Sequence, residues 1–194
     1  MKLRKILLLG AMAVLALALA GPASAGAAEW KHGASPLEEH VEIGLFGSEI
    51  FVTEAGAMIC EVDATLTTEG GSVGQIGNYE TTECMGLTGA MEGCSVVATE
   101  QVGGPWAVDV NATDLTVTGN TLLRTFDPEC PVKTIESTVP ELTTTAPDPA
   151  AITELEYFDF GSGSASIDGG EPGKYQVFGS WFLAGEASGT YGIG

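Results

Sequence analysis

Between residues 58 and 67 the chain changes character at every step. Cys60, Val62, Ala64 and Leu66 are apolar, while Glu61, Asp63, Thr65 and Thr67 are charged or hydroxylated. Side chains of an extended strand project alternately to opposite faces, so a period of two predicts a strand with one dry and one wet face. The pattern recurs. Trp106, Val108 and Val110 alternate with Ala107, Asp109 and Asn111, and Leu115 and Val117 alternate with Asp114, Thr116 and Thr118. Half-wet strands of this kind belong to antiparallel sheet.

Further strands are predicted over 49–53, 72–82, 94–102, 121–126, 133–139, 152–160, 164–168 and 174–183. Turn chemistry separates them, as at Glu69-Gly70-Gly71, Gly103-Gly104-Pro105, Gly119-Asn120 and Asp168-Gly169-Gly170. About ten short strands at this spacing predict an all-β fold, an antiparallel β-sandwich first and a small barrel as the alternative. Two segments stand apart. Residues 26–48 form a polar N-terminal segment without a strand period. Residues 140–149 carry Pro140, Pro147 and Pro149 and read as a long crossing connection, because proline removes ladder donors. The C-terminal stretch beyond that connection is too short to build a core alone, so 49–194 is expected to be a single β domain.

The N-terminus has a different logic. A basic head (Lys2, Arg4, Lys5), an apolar run over 6–20 and Gly21-Pro22-Ala23-Ser24-Ala25 make a secretory signal peptide, residues 1–25, too short for a comfortable membrane span. The mature chain is expected to be secreted and extracellular, with no membrane span. Four cations then remain (Lys31, Arg124, Lys133, Lys174) against 26 carboxylates. Such a surface repels phosphate backbones and anionic head groups, which excludes nucleic acid as a partner and disfavours polybasic membrane contact. An outer-membrane barrel is disfavoured because it needs longer alternating strands with an outward apolar band and aromatic girdles.

Cys60, Cys84, Cys94 and Cys130 all lie in the exported part. An even count there predicts two disulfides. Cys84 with Cys94, closing a Gly-rich loop, would leave Cys60 for Cys130; nested and crossed pairings stay open.

Catalytic motifs are weak. Gly70-Gly71-Ser72-Val73-Gly74 matches the G-x-S-x-G nucleophile elbow, yet it joins two strand-like stretches and reads as a hairpin turn. His32 and His40, with Glu38 and Glu39 beside the latter, read as solvated histidines rather than a metal site. No cofactor or metal is expected. Turns such as Asp168 to Glu171 suit calcium chemically but lack an EF-hand pattern, and Asn111-Ala112-Thr113 is a glycosylation sequon. A glycosidase needs two carboxylates about 5 to 9.5 Å apart; Glu154, Glu156 and Asp159 are the nearest candidates, with an ordinary strand face as the plain reading. On the last long strand Tyr175, Val177 and Trp181 share one face, and Phe178 and Phe182 the other. If exposed, Tyr175 and Trp181 would form a ligand surface.

Glu29-Trp30-Lys31-His32-Gly33, Cys60-Glu61-Val62, Thr81-Thr82-Glu83-Cys84, Gly104-Pro105-Trp106, the stretch 113–118 and the closing Thr190-Tyr191-Gly192-Ile193-Gly194 together resemble uncharacterised exported proteins of high-GC actinobacteria. The plan of an early Cys strand, a later Cys region and a Gly-Pro-Trp turn is more distantly similar to the exported protein activator of alkane oxidation. That likeness implies a secreted, non-catalytic β protein assisting contact with hydrophobic substrates, and transfers no functional residue. The function expected is that of an exported non-catalytic protein, ligand-binding, surface-associated or structural, taking a hydrophobic small molecule or a glycan. A secreted carbohydrate-active enzyme using paired carboxylates is the alternative.

Overall fold

The computed structural model describes residues 28–111, 114–146, 152–184 and 191–193; the expected signal peptide, 1–25, lies outside them. Two short strands come first, β1 (Trp30–His32) and β2 (Ser35–Pro36). Three long ones follow: β3 (Glu42–Thr53), β4 (Gly56–Gly70) and β5 (Val73–Gly86). After a 3-10 turn at Gly89–Met91 come β6 (Val96–Gln101), β7 (Trp106–Val110) and β8 (Asp114–Phe126). The chain ends with β9 (Thr134–Thr145), β10 (Glu154–Ile167), β11 (Gly173–Ala184) and β12 (Tyr191–Ile193).

The pairings run β8-β7-β5-β4-β3-β11-β10-β9, and β9 pairs again with β8. The sheet therefore closes on itself. Along β8, Gln101 of β6 faces Leu122 and Ala107 of β7 faces Thr118, so β6 and β7 occupy one place in the ring in succession. The result is an eight-position, up-and-down antiparallel barrel, the barrel form of the expected all-β architecture. Its strands are longer than turn spacing predicted, β4 reaching 15 residues. Strands this long twist, and register shifts in β4–β5, β9–β10 and β10–β11 bend them further. Closure removes the open edges a flat sheet would present.

Alternation sorts the wall as the sequence predicted. Cys60, Val62, Ala64 and Leu66 point inward with Trp106, Val108, Val110, Leu115 and Val117, all buried, while Glu61 and Asp63 are exposed. The polar N-terminal segment is built into the body rather than lying beside it. Trp30 is buried, its N–H donates to Gly71 O at 3.0 Å, and β1 pairs with β12 and β2 in a small sheet over one barrel end. β3 likewise reaches back to Glu42.

The expected connection over 140–149 is corrected in part, since β9 runs through Pro140 to Thr145. The ring lets it do so. β9 pairs with β10 at Ile135 to Thr138 and again at Thr144 and Thr145, and Pro140 falls in the irregular stretch between, where no donor toward β10 is required. The far end is plugged by the loop after β5. Met91 is buried there, and a Cβ on Gly86 would lie 1.5 Å from Met91 O, so only glycine fits.

Both disulfides form, as Cys60–Cys84 and Cys94–Cys130. The pairing Cys84–Cys94 with Cys60–Cys130 is thereby set aside. β4 and β5 are hydrogen-bonded neighbours, which puts Cys60 across from Cys84 with their Cα atoms 4.0 Å apart. Cys94 is left to tie the plug loop to the turn after β8.

Candidate functional site

Two places gather chemistry, one inside the barrel and one on its wall. Inside, Glu49 of β3 and Arg124 of β8 form a fully buried ion pair. Arg124 Nη1 also donates to Ser137 Oγ at 3.0 Å, and its guanidinium carbon lies 4.4 Å from the centre of the Phe51 ring. Tyr79 donates its hydroxyl proton to Glu49 Oε2 at 2.8 Å. Burial would pull the Arg124 pKa down, but adjacent Glu49 outweighs it and holds the guanidinium charged. Burial first, then the Glu49 charge, pushes Tyr79 and Tyr157 well above the ordinary phenol value; burial also raises Tyr175.

Tyr175 and Trp181 belong to this interior. Both are buried, so the exposed ligand surface expected of them is not what the fold builds. The reason is parity: their face of β11 carries Val177 and turns inward, where Trp181 packs on Tyr157 with ring centres 4.7 Å apart and Tyr175 packs near Phe51. The cavity they line with Glu49, Tyr79, Trp106 and Asn120 has a volume of about 30 Å³. That accommodates one or two waters, against roughly 300 to 1,000 Å³ for an organic ligand. Trp106 Nε1, Trp181 Nε1 and Asn120 Oδ1 make no hydrogen bond to another protein group. They are the polar partners that water in so small a space needs. The interior is a packed apolar core that encloses this buried polar cluster.

The outer wall is different. Register carries three rows straight across β4, β3, β11 and β10, the third ending at Phe158, whose side chain lies outside the described residues. The first row is Asp63, Phe46, Phe182, Glu154; the second is Glu61, Ser48, Ser180, Glu156; the third is Ile59, Ile50, Phe178. Phe46 and Phe182 are 46% and 39% exposed and stack with ring centres 5.7 Å apart. Serines in the middle row leave a depression, seen as hollows of about 500 and 250 Å³ on either side of Ser48. The floor of this trough is aromatic and small. Its rims are acidic.

Glu154 and Glu156 thus line the trough, while the Asp159 side chain lies outside the described residues. They project in parallel from one strand and cannot flank a glycosidic bond from opposite sides. The facing acids, on β4 and β10, are three strand spacings apart, about 14 Å, beyond what either glycosidase geometry uses. Exposed carboxylates such as Glu61, Asp63, Glu136 and Glu141 also leave no outward apolar band of the kind a lipid-facing barrel needs. No helix among the described residues is long and apolar enough to cross a membrane.

The remaining candidates stay apart. Gly70 and Gly71 turn the β4–β5 hairpin with φ of +88° and +60°, and Ser72 follows in the turn. His32 packs near Tyr191, His40 lies in an exposed turn, and among the described residues no three His, Cys, Asp or Glu groups gather as metal ligands. Asp168 is occupied by the backbone N–H groups of Lys133 and Thr134, each at 2.7 Å. In the sequon, residues 112 and 113 lie outside the described part.

The ion pair and the trough escaped sequence reading for different reasons. Arg124 sits between inward Leu122 and Phe126, and Glu49 is two residues from inward Phe51; charges at inward parity were the available signal. The trough depends on register between strands, which no local pattern reveals.

Fold and surface together define the class: an eight-position antiparallel barrel with a solid interior and one aromatic trough on its wall. No family model, no curated protein and no solved structure matches the chain.

Proposed function

We propose that this is an exported, non-catalytic binding protein that works through its outer wall. One observation carries the reading: the stacked Phe46–Phe182 pair stands exposed at the head of a trough, its two rings the most exposed aromatics among the described residues. The disulfides suit an oxidising space, and the leader over 1–25 supports export. A filled interior supports the wall as the working surface, because no organic ligand fits within. The likeness to exported actinobacterial proteins agrees with this role. The spacing of the acids supports binding over hydrolysis.

The test compares the mature protein with Phe46→Ala/Phe182→Ala for retention on beads bearing octyl chains, chitin or polylysine. Both rings are on the surface, so the variant keeps its fold, checked by its melting temperature. The expected result is retention of the parent on at least one surface and loss of it in the variant. Equal behaviour of the two proteins on all three would overturn the proposal.

A further inference from the structure

The chemistry of the trough names its partner more closely, on the footing that the outer wall is the working surface. Its rims carry Asp63 and Glu61 on one side and Glu154 and Glu156 on the other, and among the described residues none of these four forms an ion pair. A trough made for a neutral glycan would mix donors with acceptors along its rim; here the four rim groups accept only. Four carboxylates around two aromatic rings favour a cation, which gains both from the charges and from the ring faces.

A second copy of this chain does not supply one. Arg124 is buried, Lys31 pairs with Glu29, and Lys133 donates to Pro128 O at 2.9 Å. The exposed Lys174 is held in β11, where it is already paired with β10 and so cannot enter a trough as part of a free extended segment. Two such acidic bodies also repel. The partner is another molecule.

The rows also set a spacing. Successive rows lie two residues apart along β3, about 7 Å, the same interval that separates alternate side chains of any extended chain. From the Phe46–Phe182 row to the Ile50–Phe178 row the floor reads apolar, small, apolar, with acidic rims beside the first two rows. We propose that the trough docks an extended basic segment of another polypeptide. A lysine or arginine of that segment lies over Ser48 and Ser180 between Glu61 and Glu156, with an apolar residue two positions to either side. Charge chooses the middle residue; the rings and Ile50 take its neighbours.

Titration calorimetry on the mature protein tests this with acetyl-Thr-Leu-Thr-Lys-Thr-Leu-Thr-amide, the same peptide with glutamine for lysine, and a neutral N-acetylglucosamine hexamer. The lysine peptide is expected to bind about tenfold tighter than the glutamine peptide and to weaken as salt rises. Glu61→Gln/Glu156→Gln should cost about fivefold and Phe46→Ala/Phe182→Ala about tenfold or more. Glu100→Gln/Glu141→Gln, on the far side of the barrel, should change nothing. Failure of the lysine peptide to bind, equal binding of the two peptides, or equal weakening by the far-side variant would overturn the proposal. If the hexamer alone binds and the phenylalanine variant abolishes it, the basic partner falls while the wall remains the working surface. If the phenylalanine variant alters no binding, both readings fall.

Discussion

Glu49 and Arg124 are 75 positions apart in sequence and join opposite sides of the barrel. In the ring, β3 and β8 are separated by the same number of strands in either direction. Their ion pair therefore spans the diameter. A buried pair of this kind adds little net stability over an apolar replacement, but removing one member strands the other without water. It also fixes which strands can face each other, since a slip of β8 by one residue would turn Arg124 outward.

Glu49→Gln and Arg124→Met should each destabilise the fold by about 3 to 5 kcal/mol in urea unfolding. Glu49→Leu with Arg124→Met should recover most of that loss. A double variant as unstable as the sum of the singles would show that the pair contributes through more than mutual neutralisation.

Alkali should unfold the protein in a window set by the interior tyrosines. Folding raises Tyr79, Tyr157 and Tyr175 above their ordinary value of 10.0. The stability tied to those protons is whole below pH 10. It is lost as pH climbs beyond that point, where the unfolded chain releases protons that the fold retains. Tyrosinate absorbance should lag for these residues and then rise together with loss of the sheet signal in circular dichroism. Smooth ionisation of all tyrosines near pH 10 in a still-folded protein would contradict the buried cluster.

Much of the fold is legible in the sequence because alternation is a local property. The run Cys60, Val62, Ala64, Leu66 faces inward as its pattern predicts, and so do Trp106, Val108 and Val110. Closure is not local. Nothing in β8 or β9 alone states that Leu122 lies opposite Ser137, yet that pairing separates a barrel from a sandwich. Pro140 misleads for a related reason, since its cost depends on whether the neighbouring strand asks for a donor at that point. Tyr175 and Trp181 were legible as one face of a strand, but their side of the wall was fixed only by the register of β11 on β3 and β10. The trough, a product of rows across four strands, was not legible at all.

Gly179 should tolerate no side chain. A Cβ there would lie 2.3 Å from Ser48 O and 2.7 Å from Tyr157 Oη. Gly179→Ala should cost about 1 to 3 kcal/mol, and adding Tyr157→Phe should restore only part, because the Ser48 carbonyl remains. A neutral effect of Gly179→Ala would show that β3 and β11 are not so closely apposed.

Peptide mapping without reductant should find Cys60 joined to Cys84 and Cys94 to Cys130, with no free thiol among them. Replacing either pair by serine should cost about 3 to 4 kcal/mol from loop entropy, read by urea unfolding. A Cys84–Cys94 peptide would contradict the neighbouring placement of β4 and β5.

In the proposed role, binding happens on the wall of a closed barrel. The most direct measurement is an NMR map of the backbone and indole N–H signals that move when the lysine peptide is added. Movement should concentrate on β3 and β11 over residues 46–50 and 178–182, while the indole signals of buried Trp106 and Trp181 stay still. Displaced indole signals with β3 and β11 unmoved would place the ligand inside and contradict the account.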